Sequence, residues 1–203
     1  MKTIYITLIS VLLLGNLTAV EGTIVMQEQK PDSTLYPVRV FDDIESDYMV
    51  ARIFFSNKQK KNYKKLDDEG KRDFLDEFWA DNDLNPVTEN NEFIEVLADR
   101  INYCNTFFSH FKDGWTTDRG RIYIKYGPPY EKYKDKTEIY SKYGTKDFEI
   151  WKYRLDHYMT FIFIDIQTHG DYRLIFSDGD DSESSLPDWR DYLGDNFDDN
   201  LLY

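Results

Sequence analysis

A single cysteine, Cys104, in 203 residues excludes an intramolecular disulfide, so the fold must hold on its core alone. Basic residues are also short, 25 Lys and Arg against 38 Asp and Glu, for a formal net charge of -13. That balance argues against non-specific binding to nucleic acid or to anionic membranes and favours cationic or neutral partners. The three histidines, His110, His157 and His169, have no spaced partner that would suggest zinc. No Gly-x-Ser-x-Gly elbow, no P-loop and no His-Glu-x-x-His helix is present, so catalysis has weak support and no metal or cofactor is expected. A glycosidase-type carboxylate pair stays open, because sequence does not give the separation of acidic side chains. The longest apolar run, Ile4 to Val20, is 17 residues with Gly15 and Asn16 inside it, short of the ~20 a spanning helix needs. With Lys2 ahead of it and Thr18 and Ala19 behind, it reads as a secretory signal peptide over residues 1–21, an uncleaved anchor being the alternative. No cysteine lies near the cleavage site to carry a lipid, so a periplasmic or secreted product with no membrane span after cleavage is expected.

What the chain does have is aromatic residues and two kinds of apolar period. Residues 22–42, with Pro31 and Pro37, read as a linker or edge segment. Ile44, Tyr48, Ala51, Arg52 and Phe55 recur at helical spacing, as do Phe74, Leu75, Phe78 and Trp79. The five lysines of Lys58 to Lys65, interleaved with Tyr63, read as a solvated helix face. Thr88 sits as an N-cap for a third helix whose apolar stripe runs Phe93, Leu97, Ile101, Cys104, Phe108, Phe111. On that stripe Cys104 reads as an inert core residue and not as a nucleophile. The period then changes to two: Arg121 to Tyr126, Phe148 to Arg154, Met159 to Asp165 and Tyr172 to Ser177 read as strands, with short links between the last three. This predicts an α+β fold, N-terminal helices packed on a C-terminal, mainly antiparallel four-stranded sheet, over residues 43–177. Residues 178–203 carry nine acidic residues and one arginine, and read as an acidic flexible tail in which Trp189, Tyr192 and Leu193 could dock back. The acidic order from Asp178 to Glu183 does not match a calcium loop.

The densest stretch is Gly114 to Pro129, a turn, a charged pair, the expected strand and a second turn in one run. Upstream stand Phe78-Trp79 and then Asp83, Pro86, Thr88, Asn91 and Glu92; downstream stand Trp151 and Tyr153. Together, from about Tyr48 to Phe176, these residues resemble the GWxTD-domain proteins, a family of exported bacterial proteins whose biochemical role is unassigned. Three positions depart from the pattern: Asn82 stands for an arginine, Leu84 for a proline, and Tyr130 for the aspartate that often follows the double proline.

The residues marked by that resemblance are Trp115, Thr117, Asp118, Arg119, Gly120, Arg121, Asp83 and Glu92. Asp113-Gly114 suits a turn in which glycine takes positive φ, and Asp118 suits an Asx-turn. Arg119 and Arg121 would share a strand face and meet the carboxylates of Asp83 and Glu92. Such a network either joins the helix and sheet layers or forms a polar site able to bind a ligand or move a proton. The structural reading is favoured, and no catalytic residue is assigned. The expected function is a non-enzymatic module of the cell envelope that binds a protein or peptide. Tyr123, Tyr130, Tyr133, Tyr140 and Tyr143 and the loop Glu131 to Lys146 would supply contacts. The alternative is a carbohydrate-active or other hydrolase using Asp118 with Glu92 or Asp83.

Overall fold

The computed structural model describes Arg39 to Tyr203; the expected signal peptide and most of the segment 22–42 lie outside the described residues. Helices α1 (Ile44–Ala51), α2 (Asn57–Tyr63), α3 (Asp68–Asp81), α4 (Glu92–Phe107) and α5 (Asp118–Tyr126) precede four strands. The strands are β1 (Glu131–Lys136), β2 (Asp147–Arg154), β3 (Tyr158–Ile164) and β4 (Arg173–Asp178), followed by a short α6 (Trp189–Leu193). All strand pairs are antiparallel in the order β1-β2-β3-β4, so the α+β expectation holds.

Local chemistry sets the helix starts. Asp43, Ser56, Asp67 and Asn91 cap α1 to α4 by accepting a backbone N–H three residues on, and Ser56 with Gln59 forms a capping box. The cap of α4 is Asn91, not Thr88, and its Nδ2 also donates to the Trp79 carbonyl at 2.7 Å, tying α3 to α4. Thr88 instead lies inside the preceding loop, 2.5 Å from Glu92 Oε1. The α4 stripe is buried at Leu97, Ile101 and Cys104, and Phe108 continues it, but the helix ends at Phe107 and leaves Phe111 88% exposed. In α2 the lysines face water or the helix flanks, and Tyr63 turns inward to stack on Tyr48 at 4.2 Å.

Two expectations are corrected in the sheet. Arg121 to Tyr126 is not a strand but most of α5, and the first strand is Glu131–Lys136, inside what reads as a loop. Thr117 caps α5, its hydroxyl accepting from Gly120 N at 2.9 Å, and Gly127 at φ 77° ends it. The helix is wedged between α4 and the sheet, so Ile122, Tyr123 and Ile124 are all buried and the residues between Arg121 and Lys125 mimic a strand's alternation.

Both faces of the sheet are covered. Trp151, Tyr153, Met159, Phe161, Phe163 and Leu174 pack against the helices, while Phe148, Ile150, Ile162, Ile164 and Ile175 pack against the C-terminal segment. Within the expected flexible tail, residues 186–202 instead form a third layer: Tyr192, Leu193 and Leu202 are buried on the sheet. The apolar area of the second face supplies the physical reason, since each large side chain removed from water contributes about 1.5–3 kcal/mol. The segment also covers the β4 edge, Leu186 N donating to Ile175 O at 2.8 Å.

Candidate functional site

The signature residues form the joint where α4, α5 and the sheet meet. Gly114 and Gly120 are there for close approach, not for positive φ: a Cβ on Gly114 would lie 1.8 Å from the Cys104 carbonyl oxygen, and one on Gly120 2.2 Å from the Gly114 carbonyl oxygen. Trp115 is buried between these backbones and Phe41, whose ring lies 5.2 Å away. The other marked aromatic residues each give their polar atom a buried partner. Trp79 Nε1 donates to Asp47 Oδ2 at 2.8 Å, Trp151 Nε1 to Glu149 Oε2 at 2.8 Å, and Tyr153 Oη to the Gly127 carbonyl at 3.0 Å.

Because α5 is a helix, Arg119 and Arg121 point about 200° apart and cannot share a face. Neither meets Asp83 or Glu92. Asp83 Oδ1 accepts from Asn85 N at 3.1 Å, and Glu92 is held below the usual carboxylate range by the Thr88 hydroxyl. These two acids organise the loop before α4 and lie apart from the joint's charges. Asp118 makes no Asx-turn. Its Oδ2 accepts from Leu174 N of β4 at 2.8 Å and its Oδ1 from Arg121 Nη1 at 2.7 Å, so it fastens α5 to the sheet.

Arg119 leads to the residue that sequence reasoning missed. Its guanidinium lies between the Phe108 and Tyr172 rings, at 4.7 and 4.0 Å, donates to the Gly170 carbonyl at 2.9 Å, and approaches Glu149 Oε1 at 3.4 Å. Glu149 is fully buried in β2 and also takes Lys132 Nζ and Lys134 Nζ, each at 2.9 Å. Burial alone would raise this carboxyl; Lys134, Lys132 and Arg119 outweigh it and hold it below its ordinary value. The available signal was a lone acid between Phe148 and Ile150 in an apolar strand, beside a segment with lysines two apart.

On the outer side of α5 the acidic C-terminal segment folds back onto the cations. Glu183 grips Arg121 through Nε and Nη2 at 2.8 and 3.0 Å, and Asp180 grips Lys125 at 2.9 Å. Burial alone would raise the Asp180 carboxyl, but hydrogen bonds from Tyr126, Ser182 and Lys125 outweigh it and hold it down at about 2. A carboxyl depressed in this way contributes stability that is fully present above its unfolded value of about 3.9 and is lost as pH falls through the folded one. The melting temperature should thus fall between about pH 4 and 2, and Asp180→Asn should remove part of that slope while lowering the neutral value, as calorimetry over a pH series would read. Beside these pairs opens a cleft of about 400 Å³ lined by Met49, Arg52, Ile53, Lys60, Trp115 and Arg121, among others.

Chemically, the joint binds charge to charge and leaves little for proton transfer. Asp118 has both oxygens engaged, Glu149 is saturated and kept ionised, and burial pushes the Cys104 thiol up to about 12. Of the expected contact tyrosines, Tyr140, Tyr130 and Tyr143 are exposed, whereas Tyr123 is core and Tyr133 packs towards Phe148.

A helix layer, a four-stranded antiparallel sheet and a Gly-Trp-Thr-Thr-Asp-Arg-Gly turn at their junction define a small α+β class of domain. The family model described as the GWxTD domain matches residues 41–179, and the chain belongs to that family. No curated protein and no solved structure matches the chain. Among the described residues no helix is long and apolar enough to cross a membrane.

Proposed function

We propose that this chain is an exported, non-enzymatic module of the bacterial cell envelope that binds a protein or peptide. The observation that carries the reading is the capping of Asp118 by an arginine and a backbone N–H, which removes the carboxylate a hydrolase at this motif would use. A second support is the loop after β1. Thr137 N donates to Lys146 O, Glu138 N to Leu193 O and Lys142 N to Asp191 O, so the loop is held in one shape. At its tip Ile139 is 70% and Tyr140 93% exposed. A pinned loop presenting an aromatic and an aliphatic side chain loses little conformational freedom on binding.

A photo-crosslinking amino acid at position 140, introduced in the bacterium that makes the protein, should give a discrete adduct with one envelope component. Ile139→Asp should abolish that adduct. Turnover of a glycan or peptide substrate that Asp118→Asn eliminates without loss of melting temperature would instead establish the hydrolase.

A further inference from the structure

The cleft beside α5 is walled by four cations, two of them without an ion pair among the described residues. Arg121 and Lys125 are occupied by Glu183 and Asp180. Arg52, just beyond α1, and Lys60, in α2, make no ion pair among the described residues, and Arg52 has only the Tyr48 ring, 5.7 Å away. Met49 and Ile53, both partly exposed, supply apolar lining, to which the largely buried Trp115 adds an edge.

We propose that this cleft binds an acidic peptide segment, its carboxylates on Arg52 and Lys60 and an intervening apolar side chain on Met49, Ile53 and Trp115. The proposal rests on the binding-module reading and names the chemistry of the partner. The chain itself displays the recognition mode. Of its acidic run, Ser182 and Glu183 line the cleft, Glu183 in the planar fork of Arg121, while Asp180 holds Lys125, so two carboxylates three positions apart already engage cations of this wall. Arginine's fork matches a carboxylate in two parallel bonds, and the apolar strip next to it suits a side chain better than it suits a bare inorganic anion. Among the described residues Glu183 is the one carboxylate lining the cleft, and with Asp118 on Arg121 and Asp180 on Lys125 the unpaired charge left is that of Arg52 and Lys60. The long-range field of the protein opposes an acidic partner, so attraction has to come from these near charges and should weaken steeply with salt.

The test is fluorescence anisotropy with a labelled eight-residue peptide of alternating glutamate and leucine, titrated with the full chain. Binding is expected at low salt, with no binding of the same peptide carrying glutamine for glutamate. The double variant Arg52→Glu with Lys60→Glu should lose affinity by roughly tenfold or more. Its melting temperature should stay close to that of the wild type, because neither side chain is ion-paired among the described residues and only the Tyr48 ring contact and two helix-end positions change. Equal binding by the double variant, equal binding of the glutamine peptide, or no binding of the glutamate peptide at millimolar protein would each overturn the proposal. A discrete adduct at position 140 beside a null titration would overturn the acidic-peptide assignment and leave the module standing. Failure of both would remove the module as well.

Discussion

Glu149→Gln should lower the melting temperature by roughly 6–20 °C, the equivalent of about 3–5 kcal/mol in a chain of this size. The size of the effect comes from what is left behind. Lys134 is 63% exposed at its side chain and Lys132 partly so, and both can swing their ammonium groups into water. Arg119 cannot, because the rings of Phe108 and Tyr172 hold its guanidinium on both faces and its Nε already lacks a partner. Without the carboxylate a positive charge stays buried and uncompensated. Lys134→Ala, by contrast, removes a solvent-screened partner and should cost no more than about 1 kcal/mol. A double-mutant cycle of Glu149→Gln with Arg119→Ala, read by thermal unfolding, should show strong non-additivity, the second substitution recovering part of the loss. Additive losses would mean that Arg119 is held by its ring and carbonyl contacts and owes little to Glu149.

Gly114→Ala should leave little or no folded protein. Its Cβ would meet three backbone atoms, Cys104 O at 1.8 Å, Cys104 C at 2.5 Å and Ser109 N at 2.8 Å, and none of them can turn aside as a side-chain tip can. Relief requires the end of α4 to move away from the turn, which opens the packing around Trp115 and the start of α5. A cost beyond about 4–5 kcal/mol follows, large against ordinary domain stability. Gly144→Ala is the comparison. It sits at φ 67° with its nearest neighbour 3.8 Å away, so only the left-handed backbone is strained and about 1 kcal/mol is expected. Soluble yield and circular dichroism separate the two outcomes. A Gly114→Ala protein of normal stability would show that α4 and the turn can part without cost.

How far each element is legible in the sequence depends on how many of its sides are buried. Helix α4 has one buried stripe, and Leu97, Ile101 and Cys104 announce it at the right period. Helix α5 is buried at Arg119, Ile122, Tyr123 and Ile124 together, and a short apolar run such as Ile122 to Ile124 between Arg121 and Lys125 cannot be told from a strand by its period alone. Its better signals were the Thr117 cap and the Gly127-Pro128 stop. Strand β1 fails for the opposite reason. It is an edge whose residues are exposed except Tyr133, so it carries charge where a strand usually carries apolar side chains. The membership of Trp115, Asp118, Arg119 and Gly120 in one junction is legible from the signature, but the partners are not. They depend on helical geometry that separates Arg119 from Arg121, and on Glu149, which lies thirty positions from Arg119 in the chain. The third layer was written in β3, where Phe161 to Ile164 are buried without a polar interruption. A strand that is apolar on both sides needs two covers, and the helices supply one.

That second cover moves the working boundary of the domain. The family match closes at residue 179, yet Thr160 Oγ1 donates to the Leu202 carbonyl at 2.9 Å and Lys152 Nζ to the Tyr203 carbonyl at 3.0 Å. A chain cut at the end of the match would turn the Phe148, Ile150, Ile162, Ile164 and Ile175 face to water, an exposed apolar patch of the kind that self-associates. The same order governs biosynthesis: a ribosome finishes the sheet well before it releases the residues that shield it. Until residues 186–202 dock, the second apolar face of β2, β3 and β4 stays uncovered.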